Sequence, residues 1–335
     1  MQLTSFHCSK EQTSFFRAET RRQWIRKATL ASTAASLLPW GVANAEKQDT
    51  EAFKLDLTVW KLGIPGNQND AIRWARQFKF ESVGAHTDEV IQWSEAQRDH
   101  YTETLQGAGL QWGVASLPVN FRKSSNAFRE SIQGLPDAAK ALSMAGIKKV
   151  ITHIMPCHDS LTYLQNFRMH TDRLKEVVHI LADHDLHFGM EYVGTETLRN
   201  RRKFPFIHTL REGLELASAI DPTRVGLVMD CWHWHNAGDT LEDLARLEPH
   251  HVVSIELNDA PAGIQRPLLQ DHRRELPVAT GVIDTEGFLN GLARLGIKEI
   301  PLMAEPFNQA FRDMPRERGI ATIADSLKKA RNLVH

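Results

Sequence analysis

The stretch VGLVMDCWHWHNAG, residues 225–238, joins a short apolar run to a segment rich in histidine and tryptophan, and Asp230 stands at the junction. Similar apolar runs recur from Phe53 onward and alternate with amphipathic stretches of helical length. This alternation is typical of repeated β-α units and of a parallel sheet. Eight strands are predicted, at residues 55–60, 81–86, 111–117, 148–154, 187–193, 225–230, 252–258 and 300–306.

Eight β-α units in the 290 residues from position 46 to the end predict a single α/β domain, a (β/α)8 TIM barrel. The alternative is a doubly wound open sheet. No predicted strand is followed by the glycine-rich G-x-G-x-x-G or G-x-x-x-x-G-K loop that often accompanies that fold. In a barrel, the chemical groups are expected at the carboxyl ends of several strands.

The first 45 residues are interpreted as an export leader. Residues 20–27 read TRRQWIRK, and a weakly apolar run leads to the small-x-small sequence Ala43-Asn44-Ala45. The paired arginines resemble a bacterial twin-arginine signal. The apolar run is shorter than the roughly 20 residues of a membrane span. We therefore expect a periplasmic or secreted domain over residues 46–335, with no membrane attachment after cleavage; an amphipathic basic helix is the alternative for the leader.

Composition and charge narrow the class of partner. The chain has 335 residues, 42% apolar and 24% charged, which favours a globular protein over a disordered one. Its net charge is −1, and loss of the leader, with six basic and two acidic residues, leaves −5. A nucleic-acid partner is therefore not expected. Cys157 and Cys231 are predicted to be free thiols, a single bridge being the alternative. The oligomeric state is open, with a homo-oligomer among the alternatives.

Each of the last four predicted strands delivers one carboxylate to the expected catalytic end. These residues are Glu191, Asp230, Glu256 and Glu305. A carboxylate within an apolar run is costly to bury unless it is paired or binds a cation. One such residue could belong to a structural ion pair, but four on adjacent strands indicate a divalent metal site. Because all four ligands are oxygens, Mg²⁺ or Mn²⁺ is favoured over Zn²⁺.

Several other polar residues lie at predicted strand ends. His233, three positions after Asp230, is expected to reach toward a substrate oxygen. His86 and His153 end the second and fourth strands, and Lys61 follows the first. Each of these three could face the substrate or lie at the rim. His235, Trp232 and Trp234 could line a pocket, although ordinary packing is the alternative for both tryptophans.

The order of these motifs resembles the xylose-isomerase-like sugar isomerase/epimerase superfamily, which includes ketose 3-epimerases, inosose dehydratases and relatives of endonuclease IV. The resemblance covers roughly residues 53–335. It rests on Glu after strand five, D-x-x-H after strand six, SIELND in strand seven and E-P after strand eight. It implies that Glu191, Asp230 and Glu305 bind the metal and that His233 binds substrate. Arg273 or Arg274 falls where the family often places a substrate-binding arginine.

One position departs from that pattern, because the family usually has histidine where this chain has Glu256. The resemblance implies a metal-dependent isomerase or epimerase. Its substrate would be a small, non-phosphorylated keto-sugar or polyol, and Glu191 and Glu305 would transfer protons through a metal-stabilised enediolate. The alternatives are a carbon–oxygen lyase acting on an inosose or 3-keto-glycoside, and a non-catalytic sugar-binding barrel. The sugar is not identified, and loops such as residues 261–280 are expected to select it.

Overall fold

The computed structural model describes residues 52–335, in which eight parallel strands close into one barrel. The strands pair in chain order, and the last returns to the first through the register Phe53↔Ile300. The predicted (β/α)8 barrel is confirmed, and the open doubly wound sheet is not formed. The predicted leader lies outside the described residues. The strands are β1 Phe53–Leu57, β2 Ser82–Ala85, β3 Gln111–Ser116, β4 Lys149–Ile154, β5 His187–Tyr192, β6 Val225–Asp230, β7 Val252–Leu257 and β8 Ile300–Ala304.

Helices connect successive strands around the outside of the barrel, and several begin at reciprocal caps predicted by local sequence. Ser94 and Gln97 form such a capping box at one helix, and Thr209 and Glu212 form another. No helix within residues 52–335 is both long and apolar enough to cross a membrane. The helices are α1 Val59–Leu62, α2 Gln68–Gln77, α3 Thr87–Val90, α4 Glu95–Ala108, α5 Ser125–Ile132, α6 Leu135–Met144, α7 Tyr163–Ala182, α8 Glu196–Arg199, α9 Leu210–Ile220, α10 Cys231–Ala237, α11 Leu241–Leu244, α12 Thr285–Ala293, α13 Gln309–Arg312 and α14 Arg316–Arg331.

Seven of the eight predicted strands end within two residues of their predicted bounds, whereas the first is displaced. β1 ends at Leu57, and the predicted strand residues Val59 and Trp60 instead begin α1. The Thr58 hydroxyl donates to the buried carboxylate of Asp56, and Gly63, with φ of 66°, ends the short helix. The chain therefore turns directly after β1.

The strand register brings the polar ends together. Asp230 lies directly beside Glu256 across β6 and β7, and His153 lies beside Glu191 across β4 and β5. Val228 and Met303 each precede a site carboxylate by two residues, so they share its face of the strand. They belong to a small apolar cluster, separate from the main core, that also contains Val114, Ile151 and Val253.

Both cysteines in the described residues are buried free thiols, as predicted. Cys231, the first residue of α10, exchanges hydrogen bonds with the backbone of Asn258 on the neighbouring strand end. It therefore packs under the catalytic end of the barrel and helps to join β6 to β7.

Candidate metal centre and active site

The four predicted carboxylates, Glu191, Asp230, Glu256 and Glu305, meet at the carboxyl ends of β5 to β8 and are called here the carboxylate cluster. One oxygen from each lies within 4.8 Å of one oxygen from every other. All four side chains are buried, and Glu256 is 0% exposed. Each carboxylate lies at the end of an apolar strand, on the face that points into the barrel.

Lys61 places its ammonium group against three members of the cluster. Its Nζ lies 2.8 Å from Glu305 Oε1, 2.9 Å from Glu256 Oε1 and 3.6 Å from Glu191 Oε2. It also donates to Glu256 Oε2 at 2.9 Å. The turn into α1 aims this side chain inward, so Lys61 is part of the site rather than a residue of the rim.

Arg274 supplies a second buried cation and is 1% exposed. Its Nη1 donates to Asp230 Oδ2 at 2.9 Å and to Glu305 Oε2 at 3.0 Å, and its Nη2 donates to Asp271 Oδ1 at 2.8 Å. The guanidinium group also stacks over the rings of Trp232 and Phe307. Arg274 therefore fixes two carboxylates in place.

The adjacent Arg273 is exposed. Of the two predicted substrate-binding arginines, Arg274 is the one that the fold brings to the carboxylate cluster. Its hydrogen bonds there are made to carboxylate and carbonyl oxygens of the chain itself. A direct contact between either arginine and substrate stays a prediction.

His233, on α10, faces the cluster from the loop side. Its Nε2 lies 3.2 Å from Glu191 Oε1 and 3.6 Å from Asp230 Oδ2. The Gly194 backbone N–H donates to Nδ1 at 3.3 Å, which leaves Nε2 as the donor toward Glu191. A side chain at Gly194 would bring its Cβ within 2.2 Å of the His233 carbonyl oxygen. The absence of a side chain at position 194 thus allows this close approach.

Burial and neighbouring charges shift the pKa values of the carboxylates in different directions. Burial would raise the pKa of Glu191, but the charge of Lys61 and the contact with His233 hold it well below its usual range. Burial raises the pKa of Glu305, and the attraction of Lys61 only partly offsets that effect. The pKa of Glu256 is raised well above its usual range by burial, despite Lys61, and by its acidic neighbours. A lowered pKa at Glu191 and a raised pKa at Glu305 suit a pair in which one group acts as base and the other as acid.

The remaining predicted residues take different positions. His153 borders the cluster beside Glu191; its ring is open to the cavity, yet partial desolvation there and the charge of Arg122 lower its pKa to about 4. His86 lies at the end of β2, and its Nδ1 is 3.7 Å from Glu89 Oε1. His235 is half-buried. The roles predicted for these three histidines in a substrate pocket stay predictions.

The two tryptophans after Asp230 are packed as core residues. Trp232 donates to Thr195 Oγ1 at 3.0 Å, and Trp234 donates to the Thr240 carbonyl oxygen and contacts the Phe288 ring. Neither lines the cavity next to the cluster. Their placement agrees with the packing alternative rather than with a pocket wall.

A cavity of about 200 Å³ opens beside Glu191 at the carboxyl end of the barrel. This volume is below the roughly 300–1,000 Å³ of pockets for drug-sized ligands, so it suits a single small ring. Lys61 and His153 line it on the side of the cluster, Trp60, Arg122 and Thr152 add polar groups, and Ser116, Leu117 and Ile151 complete the wall. The cavity therefore connects Glu191 to solvent between hydrogen-bond donors and apolar side chains.

Three residues of the site were not predicted from the sequence. Asn258 donates to Asp230 Oδ1 at 2.9 Å, and Asp271 binds Arg274. Arg122 reaches the cavity from the loop after β3. Asn258 could have been found, because it is the last residue of the predicted strand that contains Glu256. The other two lie in loops whose course the strand pattern does not specify.

The donor set fits a divalent cation. Four converging carboxylates are a hard, oxygen-only ligand set, which Mg²⁺ and Mn²⁺ prefer. With all four carboxylates ionised, as ligation of a metal would require, Lys61 and Arg274 would offset two of the four negative charges, and the remaining two would match one divalent ion. A second set of three, Glu191, Asp230 and His233, also converges and would add a nitrogen ligand.

Known proteins with similar sequences carry sugar-isomerase names. The chain is 22% identical over 203 residues to an inosose isomerase of Bacillus subtilis, covering 60% of this chain and 67% of that protein. It is 28% identical over 192 residues to a probable ketose 3-epimerase of Synechocystis, covering 54% of this chain and 63% of that protein.

Solved structures show the same architecture. The crystal structure of an IOLI protein with a bound zinc atom has a TM-score of 0.70 and 17% identity, covering 83% of this chain and 98% of that one. A family model described as xylose isomerase-like TIM barrel matches residues 72–330, which span most of the described barrel. The chain therefore belongs to the xylose isomerase-like TIM barrel family.

Proposed function

We propose that this protein is a metal-dependent isomerase or epimerase that moves a proton on a non-phosphorylated keto-sugar or polyol. The observation that carries the proposal is the position of Glu191 and Glu305. Both approach one centre, and both contact the same ammonium group, at 3.6 and 2.8 Å from Lys61 Nζ. Two carboxylates at one centre can remove a proton from a substrate carbon and return it.

Glu191, Asp230, Glu256 and Glu305 would hold the metal, for which we favour Mn²⁺ or Mg²⁺. When bound, such an ion would polarise a substrate carbonyl and stabilise negative charge on its oxygen. The zinc in the IOLI structure belongs to a protein that shares the fold with this chain, so it does not decide which metal this chain takes.

The side chains divide the proton transfer between them. Glu191 is the base, because Lys61 and His233 stabilise its ionised form. Glu305 is the acid, because burial favours its protonated form more than Lys61 and Arg274 oppose it. A proton removed from the carbon beside the carbonyl by one residue and returned by the other on the opposite face inverts that carbon. His233 orients a substrate oxygen.

The relatives' names agree with this chemistry, since an inosose isomerase and a ketose 3-epimerase are both named for reactions of keto-sugars or keto-polyols. Elimination begins with loss of the same proton, so a carbon–oxygen lyase is the alternative. A non-catalytic sugar-binding barrel does not need a separated acid and base. The export leader, residues 1–45, would place the reaction outside the cytoplasm, where we propose that non-phosphorylated sugars are the substrates.

The test is product analysis with metal-loaded protein. The protein would be incubated in deuterated water with Mn²⁺ or Mg²⁺ and with a panel of ketoses, inososes and 3-keto-glycosides, and products would be identified by NMR. The proposal predicts an inverted or isomerised sugar carrying deuterium at the reacting carbon. An enone would indicate the lyase. Product without deuterium would contradict proton transfer, and no turnover of any class would favour a binding protein.

A further inference from the structure

The cavity beside Glu191 contains a half-buried cation that forms no ion pair within residues 52–335. Arg122 lines this cavity and is half-buried. No carboxylate in the described residues forms an ion pair with it, and desolvation alone lowers its pKa. Partial desolvation without an anionic partner is unfavourable for a guanidinium group, and an anionic ligand in the cavity would relieve it.

Only part of the Arg122 guanidinium group is used by the protein. Nη1 donates to Thr152 Oγ1 at 3.1 Å and to the carbonyl oxygen of His153. Within residues 52–335, Nε and Nη2 have no hydrogen-bond acceptor. Three N–H groups therefore remain for a ligand, and the planar fork of arginine matches the two oxygens of a carboxylate.

Trp60, whose side chain lines the same cavity, carries a second unpartnered donor. The Nε1 of Trp60 is buried and has no hydrogen-bond partner in the part of the chain that the structure describes. An indole N–H can only donate, so this position also calls for an acceptor. Lys61 is a third donor-only group in the wall, although Glu256 and Glu305 already bind it.

We propose, resting on the proposed function, that the substrate is a sugar acid whose carboxylate binds Arg122 and Trp60 while its reacting carbon lies beside Glu191. A neutral sugar would fill the space but leave the guanidinium charge unbalanced. The carboxylate balances it and accepts from both donors. The small cavity places one monosaccharide between this anion site and the carboxylate cluster.

A purely structural role for Arg122 would be to hold the loop after β3. That work is done by Arg173, which donates to the carbonyl oxygens of Phe121 and Lys123 at 2.6 and 2.7 Å and to the Ser125 hydroxyl at 3.0 Å. Arg173 does not line the cavity. R173Q is therefore a matched control, because it removes from α7 an arginine that contacts the same loop, without changing the charge beside Glu191.

The experiment measures binding with ligand pairs that differ in one group. Affinities of D-fructuronate and D-fructose, and of D-glucuronate and D-glucose, would be measured by calorimetry for wild type, R122Q, R122K and R173Q. D-fructose 6-phosphate serves as a phosphate probe. Wild type should bind at least one acid about tenfold more tightly than its neutral partner, the scale of a charge-assisted hydrogen bond. R122Q should reduce that ratio about tenfold, R122K should retain part of it, and R173Q should leave it unchanged.

Equal affinities within both pairs, or a ratio that survives R122Q, would overturn the proposal. Equal losses in R122Q and R173Q would indicate a loop-holding role and would also overturn it. Tighter binding of the phosphate ester than of either acid would assign the anion site to phosphate instead. If R122Q unfolds, R122K decides the question. An acid-to-neutral affinity ratio below that of wild type would support the proposal, and an unchanged ratio would overturn it. Deuterium exchange into D-fructose tests the proposed function separately, because this ligand has no carboxylate.

Discussion

The ammonium group of Lys61 lies 2.9 Å from both carboxylate oxygens of Glu256, although the two residues are 195 positions apart in the chain. Glu256 stands where the family resemblance leads us to expect histidine. Glu256 would be ionised as a metal ligand, and its pair with a protonated Lys61 would then have no net charge, as a neutral imidazole has none. Lys61 therefore compensates for the unusual ligand and keeps the charge of the centre suited to a divalent ion.

Replacing Lys61 tests this compensation. K61M should destabilise the metal-free protein by about 3 kcal/mol, the usual scale for breaking a buried ion pair. It should also increase affinity for Mn²⁺ about tenfold or more, because a positive charge next to the bound ion is removed. Thermal unfolding and calorimetric titration with Mn²⁺ measure the two effects.

K148M is the matched control for that variant, since Lys148 forms an exposed ion pair with Asp185 in which the lysine side chain is 55% exposed. Exposed pairs contribute little to stability. Unchanged metal affinity in K61M would contradict the compensating role of Lys61.

Substitutions in the cluster test which residues bind the metal. D230A should abolish metal binding, because Asp230 belongs to both sets of converging ligands. E256H should retain binding and shift the preference toward softer ions such as Zn²⁺, since imidazole replaces a carboxylate. Metal content by elemental analysis, together with competition between Mn²⁺ and Zn²⁺, measures both outcomes. Retention of tightly bound metal by D230A would show that the site is misplaced.

The barrel itself could be predicted because its strands are apolar runs between amphipathic helices. β6, Val225–Asp230, matches its predicted bounds at both ends, since every residue in it is buried and the pattern is continuous. β1 was less predictable, because Thr58 and the residues after it have the composition of a strand but turn into α1. That turn depends on the contact between Thr58 and Asp56, which single-sequence patterns do not record.

The carboxylate cluster was predictable for the same reason as the fold, because an acidic residue ending an apolar strand is conspicuous. The role of Lys61 could not be predicted from the sequence. Its partners Glu191, Glu256 and Glu305 are distant in sequence, and its orientation follows from the unpredicted helix. Arg122 was missed because it lies in a loop, where no periodicity indicates which side chains face the cavity.

A buried carboxyl group away from the cluster sets part of the pH dependence of stability. Burial raises the pKa of Asp56 to about 6. The folded state therefore binds the Asp56 proton more tightly than the unfolded state. The contribution of protonated Asp56 to the free energy of unfolding is fully present below the unfolded pKa of about 4 and is lost as the pH rises through about 6. Relative to wild type, D56N should gain about 2 kcal/mol between pH 4 and pH 7. Urea unfolding of both proteins at the two pH values measures this gain, and a constant difference would contradict it.

The proposed export leader, which lies outside the described residues, yields a further prediction. R21K combined with R22K should stop export, because the paired arginines carry the resemblance to a twin-arginine signal. Cell fractionation should then find the uncleaved chain in the cytoplasm, whereas the wild-type chain should begin near Glu46 outside it. Normal export of the double variant would refute the leader.

The central claim is that Glu191 and Glu305 exchange a proton with the same substrate carbon from opposite faces. The most direct measurement is deuterium uptake into recovered substrate and product by metal-loaded wild type, E191Q and E305Q, with metal content determined in each sample. Wild type should label both epimers. Each variant should lose inversion by roughly a hundredfold or more but retain slow labelling of the one epimer that faces its remaining glutamate. Inversion that continues without deuterium uptake, or metal-loaded variants that invert as fast as wild type, would contradict the account.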